Sequence, residues 1–264
     1  MVLRRDERGV IAIGQASHAW ICGQLARNWG NRRFGAVVPY EEVCLGAEQH
    51  DVGMARWDLQ PAFNPDSGLP RAFTEMPLEL HHELWRRGPE SVLTQSRYAA
   101  LLAAMHGRRL YELRDLDALA EAEAEQVRGF LAEQREFERT LLGWLRADPA
   151  AATDASEEQI ERNSQLVWTW DLISLALCLD WAPCTASSVP TAGDDVDIAI
   201  EACPEPGRAM LDPWPFRSPS LTVRCEGRRL PGRCESEVEM LTELAGAPWE
   251  TVEFELVAPA RPAH

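Results

Sequence analysis

Val43-Cys-Leu-Gly-Ala-Glu-Gln-His50-Asp51-Val-Gly53 sets a histidine and an aspartate side by side where an apolar stretch stops. Pro39 precedes the segment, so the pattern predicts a helix over about Tyr40 to Gln49 that carries His50 and Asp51 at or near its C-terminal end. On an ideal helix two adjacent side chains diverge by ~100°. The pair reaches a common point most readily where the helix ends. A neutral imidazole beside a carboxylate is a donor pair for a transition metal, and the second carboxylate oxygen can bridge to another ion.

Working outward, five of the six histidines lie between His18 and His106. Ser17 reads as the N-cap of a helix over roughly His18 to Trp29, closed by Gly30, with Ile21 and Leu25 on its buried stripe. Helices are predicted over about Leu78 to Arg87, carrying His81 and His82, and over Ser96 to Leu113, carrying His106. A helix over Glu157 to Leu179 is apolar nearly all round in its second half except for Asp171. An aspartate among Trp168, Trp170, Leu172, Ile173 and Leu175 is costly to bury unpaired, and a cation removes that cost. The competing reading is ordinary: single histidines on apolar faces are commonly satisfied core residues, and His81-His82 is equally an exposed pair. His81 lies four residues before Trp85, on the same helical face, so it is favoured over His82 if Trp85 is buried.

Leu59–Pro77 reads as a loop, with turn residues from Asn64 to Gly68, and is a candidate lid. Asp117–Arg146 is a long helix whose glutamates form a solvated face, and Ala147–Ser156 is a linker. Val2–Ile13 reads as a hairpin, while Val196–Ala202, Gly207–Leu211, Leu221–Cys225 and Val252–Val257 read as strands, with a short helix at Glu237–Leu244. The expected architecture is a single, mainly α domain over 1–264. Its helical core spans 15–182, and a small antiparallel sheet forms from 1–14 and 194–258.

The chain has 264 residues with 45% hydrophobic content, which supports a sizeable core. A net charge of −16 argues against nucleic acid or an anionic membrane surface as partner. The 26 basic residues are all arginine, which excludes a lysine nucleophile or Schiff base. Seven cysteines without a CxxC pair read as reduced, buried thiols. The opening Met1-Val-Leu-Arg-Arg-Asp-Glu-Arg lacks a signal-peptide apolar segment, so a cytoplasmic location is expected. Nucleophile-elbow, GxGxxG and Walker patterns are absent.

Three segments carry a resemblance. Ser17-His18-Ala-Trp-Ile-Cys-Gly-Gln-Leu-Ala resembles the first-histidine helix of the HD-domain superfamily of metal-dependent phosphohydrolases. The Val43–Gly53 stretch is similar to that family's HD-x-G segment, and Trp170-Asp171-Leu-Ile-Ser-Leu to its closing aspartate helix. The resemblance covers about Ser17 to Leu179 and implies a helical bundle in which His18, His50, Asp51 and Asp171 hold one ion. In two-metal members two further histidines hold a second ion; His81 (or His82) and His106 match that order, with Asp51 bridging. The ion implied is a divalent transition metal, manganese, iron or zinc. Many members carry lysine in HD-x-G-K, where this chain has Met54, and Arg56 is the candidate replacement for a substrate phosphate, or else a surface residue paired with Asp58. The whole chain also resembles a domain-of-unknown-function family, through His50–Asp58, Leu84-Trp85-Arg86-Arg87-Gly88 and Pro213-Trp214-Pro215-Phe216.

These features lead to an expected metal-dependent hydrolase acting on a small phosphorylated metabolite or nucleotide, with Asp51 and Arg56 as catalytic residues. The alternatives are a di-iron oxygenase resembling the inositol-oxygenase type, and a non-catalytic binding module. The ten tryptophans read as core filling, apart from Trp57, Trp168 and Trp170 beside the candidate ligands. The oligomeric state is open.

Overall fold

A computed structural model describes residues 1–260. In chain order the elements are β1 (Val2–Asp6), β2 (Gly9–Ile13), α1 (Gln15–Asn28), α2 (Tyr40–Gln49), a 3-10 turn (Val52–Met54), α3 (Ala55–Leu59), β3 (Phe63–Asn64) and β4 (Leu69–Pro70). They continue with α4 (Leu78–Leu93), α5 (Arg97–Glu112), α6 (Glu121–Ala147) and α7 (Glu157–Leu179). The last third holds β5 (Cys184–Val189), β6 (Val196–Ala202), β7 (Arg208–Asp212), β8 (Ser220–Leu230), α8 (Glu237–Gly246) and β9 (Trp249–Val257).

The mainly α expectation is wrong. Half the chain is helical, and beside the helices stands a seven-stranded, curled half-barrel sheet in the order β1-β2-β8-β9-β7-β6-β5. Its pairings are antiparallel except β7 against β9, which is parallel. Two misread segments account for the difference in size. Cys184–Val189 has no clear alternation, because a register shift falls between Ala186 and Val189 and Ser188 takes a left-handed φ of 55°. The charged end of β8, Glu226 to Leu230, resembles a turn, yet Arg228 and Arg229 are both buried. Their charges are met: Arg229 bonds Asp6 and Glu250, and Arg228 donates to the carbonyls of Asp58 and Leu244. Buried arginines are tolerated when paired in this way.

The N-terminal hairpin joins the sheet as expected, β2 pairing β8 with Ile13 opposite Gly227. Gly227 is required there, because a Cβ would run into Ile11 and lie 3.1 Å from Ile13 Cγ1. The sheet packs against α1 and α7, and the main core joins Ile21, Leu25 and Trp170 of those helices to Val223, Cys225 and Leu256 of the strands. Arg4 of β1 clips the end of α7 by donating to the carbonyls of Leu177 and Cys178. All seven cysteines are free thiols, five of them buried. Among the described residues no helix is long and apolar enough to cross a membrane.

Candidate metal centre

Three helices bring one candidate ligand each, and the end of a fourth adds two. His18 lies on α1, whose first turn is capped by Gly14 rather than Ser17; the Ser17 hydroxyl instead bonds the backbone of Glu226 on β8. The α2 helix stops at Gln49. His50 is its C-cap with φ −57° and ψ −32°, and Asp51 opens the 3-10 turn with φ −103° and ψ 11°. That change of direction lets two adjacent side chains face one point. Asp171 arrives from α7 and His106 from α5. All five are buried: His50 is 0% exposed and Asp171, the most open, 8%.

Three groupings have donor atoms within 4.8 Å of one another: His18–His50–Asp51, His50–His106–Asp171 and His18–Cys22–Asp171. His18 Nε2 is 2.7 Å from Asp51 Oδ2 and 3.8 Å from Asp171 Oδ1. His50 Nε2 is 3.4 Å from Asp171 Oδ1 and 3.6 Å from Asp51 Oδ2, and His106 Nε2 is 3.8 Å from Asp171 Oδ2.

The hydrogen bonds behind these rings decide which nitrogen carries a proton. Ser174 donates its hydroxyl to the His18 carbonyl at 2.9 Å, so its oxygen accepts from His18 Nδ1 at 3.1 Å. His50 Nδ1 donates to the Ala47 carbonyl at 2.8 Å. Both rings therefore turn Nε2 toward two carboxylates, where it carries either a proton donated to them, as the 2.7 Å contact of His18 with Asp51 Oδ2 requires, or a bond to a cation. Lone pair facing carboxylate is repulsive unless a proton or a cation lies between, and outer partners of this kind are what orient metal-binding histidines. His50 Nε2 and His106 Nδ1 have no hydrogen-bond partner among the described residues. Burial opposes charge on His50, but Asp51 and Asp171 outweigh it and push its pKa up to about 9. Burial raises Asp51 and Asp171 in turn; the facing histidines prevail and hold both below the usual carboxylate range. The set attracts positive charge to its centre, and two imidazole nitrogens with two carboxylates suit a divalent transition ion.

The remaining candidates fall elsewhere. His81 borders the same cavity, but both its nitrogens are engaged: Trp85 Nε1 donates to Nε2 at 2.9 Å, so Nδ1 carries the proton shared with the Tyr111 hydroxyl at 2.5 Å. Burial keeps it neutral, with a pKa of about 4. His82 lies outside the cluster, stacked on Phe130 at 4.4 Å with an interplanar angle of 1°. Arg56 is exposed on α3 and does not line the cavity. Nor does it pair with Asp58, which is buried, lies 3.2 Å from the Met1 α-nitrogen and accepts from the Gln15 backbone at 2.5 Å. Trp57 and Trp170 are core residues, while Trp168 lies 5.4 Å from the His106 ring.

A cavity of about 220 Å³ opens onto the cluster. The Leu59–Pro77 loop, which carries the short β3–β4 hairpin, supplies Phe73, Thr74 and Met76 to its wall. Gln15 and Arg114 also line it and escaped the sequence reading, as did Ser174 behind His18. Ser174 had a signal, three residues after Asp171 on one helical face. Arg114, beyond the end of α5, had none. Gln15 donates from Nε2 to Asp51 Oδ2 at 3.3 Å, and its buried Oε1 has no partner among the described residues.

His82 yields a pH test. Burial, then Arg86, lower its pKa to about 4, against ~6.5 for an unfolded histidine. Below pH 6.5 the unfolded chain binds the proton and the folded chain does not, so stability rises with pH and is lost on acidification from about 6.5 to 4. The contribution is up to ~1.4 kcal/mol per pH unit. His82→Phe keeps the stack on Phe130 and removes the titration. The urea midpoint of this variant is expected to fall less than wild type between pH 7 and pH 5; an equal fall in both would refute the assignment.

A buried His/Asp centre, built on helices and backed by a half-barrel sheet, defines a candidate metalloprotein. The chain belongs to the family described as protein of unknown function (DUF3891), whose model matches residues 1–232. Searches of curated proteins and of solved structures found no match.

Proposed function

We propose that the protein is a metal-dependent hydrolase of the HD phosphohydrolase type, acting on a small phosphorylated metabolite or nucleotide. The observation that carries the reading is the convergence of His18 Nε2 and His50 Nε2 on the Asp51 and Asp171 carboxylates, with Nδ1 of each ring engaged from behind. These four residues would hold the ion, in the order the HD resemblance implies, and His106 stands beside them. A divalent ion lowers the pKa of water so that hydroxide is available at neutral pH. Gln15 Oε1, buried next to Asp51 and without a donor among the described residues, would accept a hydrogen bond from a water held there. The loop residues Phe73 and Met76 limit solvent access.

The Trp85 hydrogen bond on His81 favours one ion over two, since the second site would need that nitrogen. The test is elemental analysis of protein purified without chelator, then reconstituted with manganese, iron or zinc and assayed on para-nitrophenyl phosphate. About one equivalent per chain, with metal-dependent phosphate release, is expected. Two equivalents of iron with a visible absorption band would favour the di-iron oxygenase reading instead. No metal after reconstitution would leave the non-catalytic binding module.

A further inference from the structure

The cavity has one guanidinium on its wall, and that group has no counter-ion. Arg114 follows the last turn of α5, lies over the Tyr111 ring at 4.5 Å and is exposed, so it stands at the cavity's mouth. Among the described residues it forms no salt bridge, and the only acids lining the cavity are Asp51 and Asp171, which face the histidines. The rest of the wall is largely apolar, formed by Phe73, Met76, Trp85, Leu110 and Leu175. Trp85 is fixed there from two sides: its N–H is spent on His81, and Gly107 leaves room for its ring, since a Cβ at that position would fall 2.5 Å from Trp85 Cε3. The space is about 220 Å³ and opens to solvent. That volume is below the ~300 Å³ at which pockets for drug-sized ligands begin.

We infer that the cavity selects a compact phosphate monoester with a short apolar body, held by Arg114 at its anionic group, and discriminates against nucleotides. The inference rests on the hydrolase reading and narrows its substrate. The apolar walls offer a base and ribose few hydrogen-bonding partners, and with the phosphate inside they would extend out of the open mouth into solvent. A guanidinium fork is suited to bidentate contact with phosphate oxygens. Its stack on Tyr111 holds the plane of that fork without using any of its donors.

The experiment is a titration with phenylphosphonate, whose P–C bond resists hydrolysis, and with adenosine monophosphate, followed by tryptophan fluorescence and calorimetry. Wild type and Arg114→Gln are compared, each loaded with manganese and each stripped with EDTA. Loss of a charged hydrogen-bonding partner is expected to weaken phenylphosphonate by roughly 10- to 100-fold in Arg114→Gln, with manganese content unchanged because Arg114 is not a ligand. Adenosine monophosphate is expected to bind wild type at least tenfold more weakly than phenylphosphonate, on the scale of one such lost contact. Equal affinity of the two proteins, equal or tighter binding of the nucleotide, or no phenylphosphonate binding in either form would overturn the inference. Arg114-dependent binding in a protein that takes up no manganese would uphold the cavity assignment and remove the metal reading, so the two failures are distinguishable.

Discussion

Replacing Asp171 by asparagine, or Asp51 by asparagine, is expected to weaken manganese or zinc binding by more than ~100-fold, beyond the 10- to 100-fold range typical of losing an outer-shell partner. Each substitution is nearly isosteric and removes one of only two negative charges facing the buried imidazoles of His18 and His50. With either charge gone, a divalent ion would be left in a buried site with a single carboxylate. Ser174→Ala provides the graded comparison. It leaves all four candidate ligands in place but frees His18 Nδ1 from its acceptor, so the tautomer that offers Nε2 is no longer enforced. A loss of 10- to 100-fold is expected there. Competition against a fluorescent chelator measures all three, with circular dichroism as the folding control. Wild-type affinity in Asp171→Asn would refute the centre outright. Wild-type affinity in Ser174→Ala would refute the tautomer argument alone.

The part of this site legible in the sequence is the part that local pattern determines. Tyr40–Gln49 and Glu157–Leu179 form helices with the predicted bounds, because a proline precedes the first, and an N-cap serine and a long apolar run mark the second. Asp171 is a charge in an apolar helix, and its burial beside His18, His50 and His106 is the corresponding fact. What escaped the reading depends on partners distant in the chain. His81 and His106 look alike in sequence, and only the Trp85 and Tyr111 hydrogen bonds separate them. Arg56 and Arg114 are likewise equivalent on paper and both are exposed; the end of α5 sets Arg114 at the cavity and α3 carries Arg56 away from it. The sheet was underestimated for the same reason. Arg228 and Arg229 look like turn residues until Asp6 and Glu250, far away in the chain, neutralise the second of them.

Gly53→Ala is expected to cost about 3 kcal/mol and to loosen the metal centre with it. Gly53 lies two residues after Asp51, in the 3-10 turn that packs on α4. A Cβ there would collide with the Leu84 carbonyl oxygen and lie 3.0 Å from Gly88 Cα and 3.1 Å from Gly88 N. These are backbone atoms, which cannot rotate aside, so α4 itself must retreat; overpacking of this kind costs ~1–3 kcal/mol, at times more. The two motifs His50–Asp58 and Leu84–Gly88 thus meet at one glycine-to-glycine contact. Its closeness holds Asp51 against α1 on one side and Trp85 over the cavity on the other. Gly88→Ala should be milder, because its Cβ would come no closer than 3.3 Å to Gly53. Gly129 and Gly143 on α6 have nothing within 4 Å of an added Cβ, and alanine at either should stabilise the helix by up to ~1 kcal/mol. Urea midpoints across these four variants, with a manganese titration of Gly53→Ala, decide the matter. If Gly53→Ala matches wild type in both readouts, the contact between the 3-10 turn and α4 does not position Asp51.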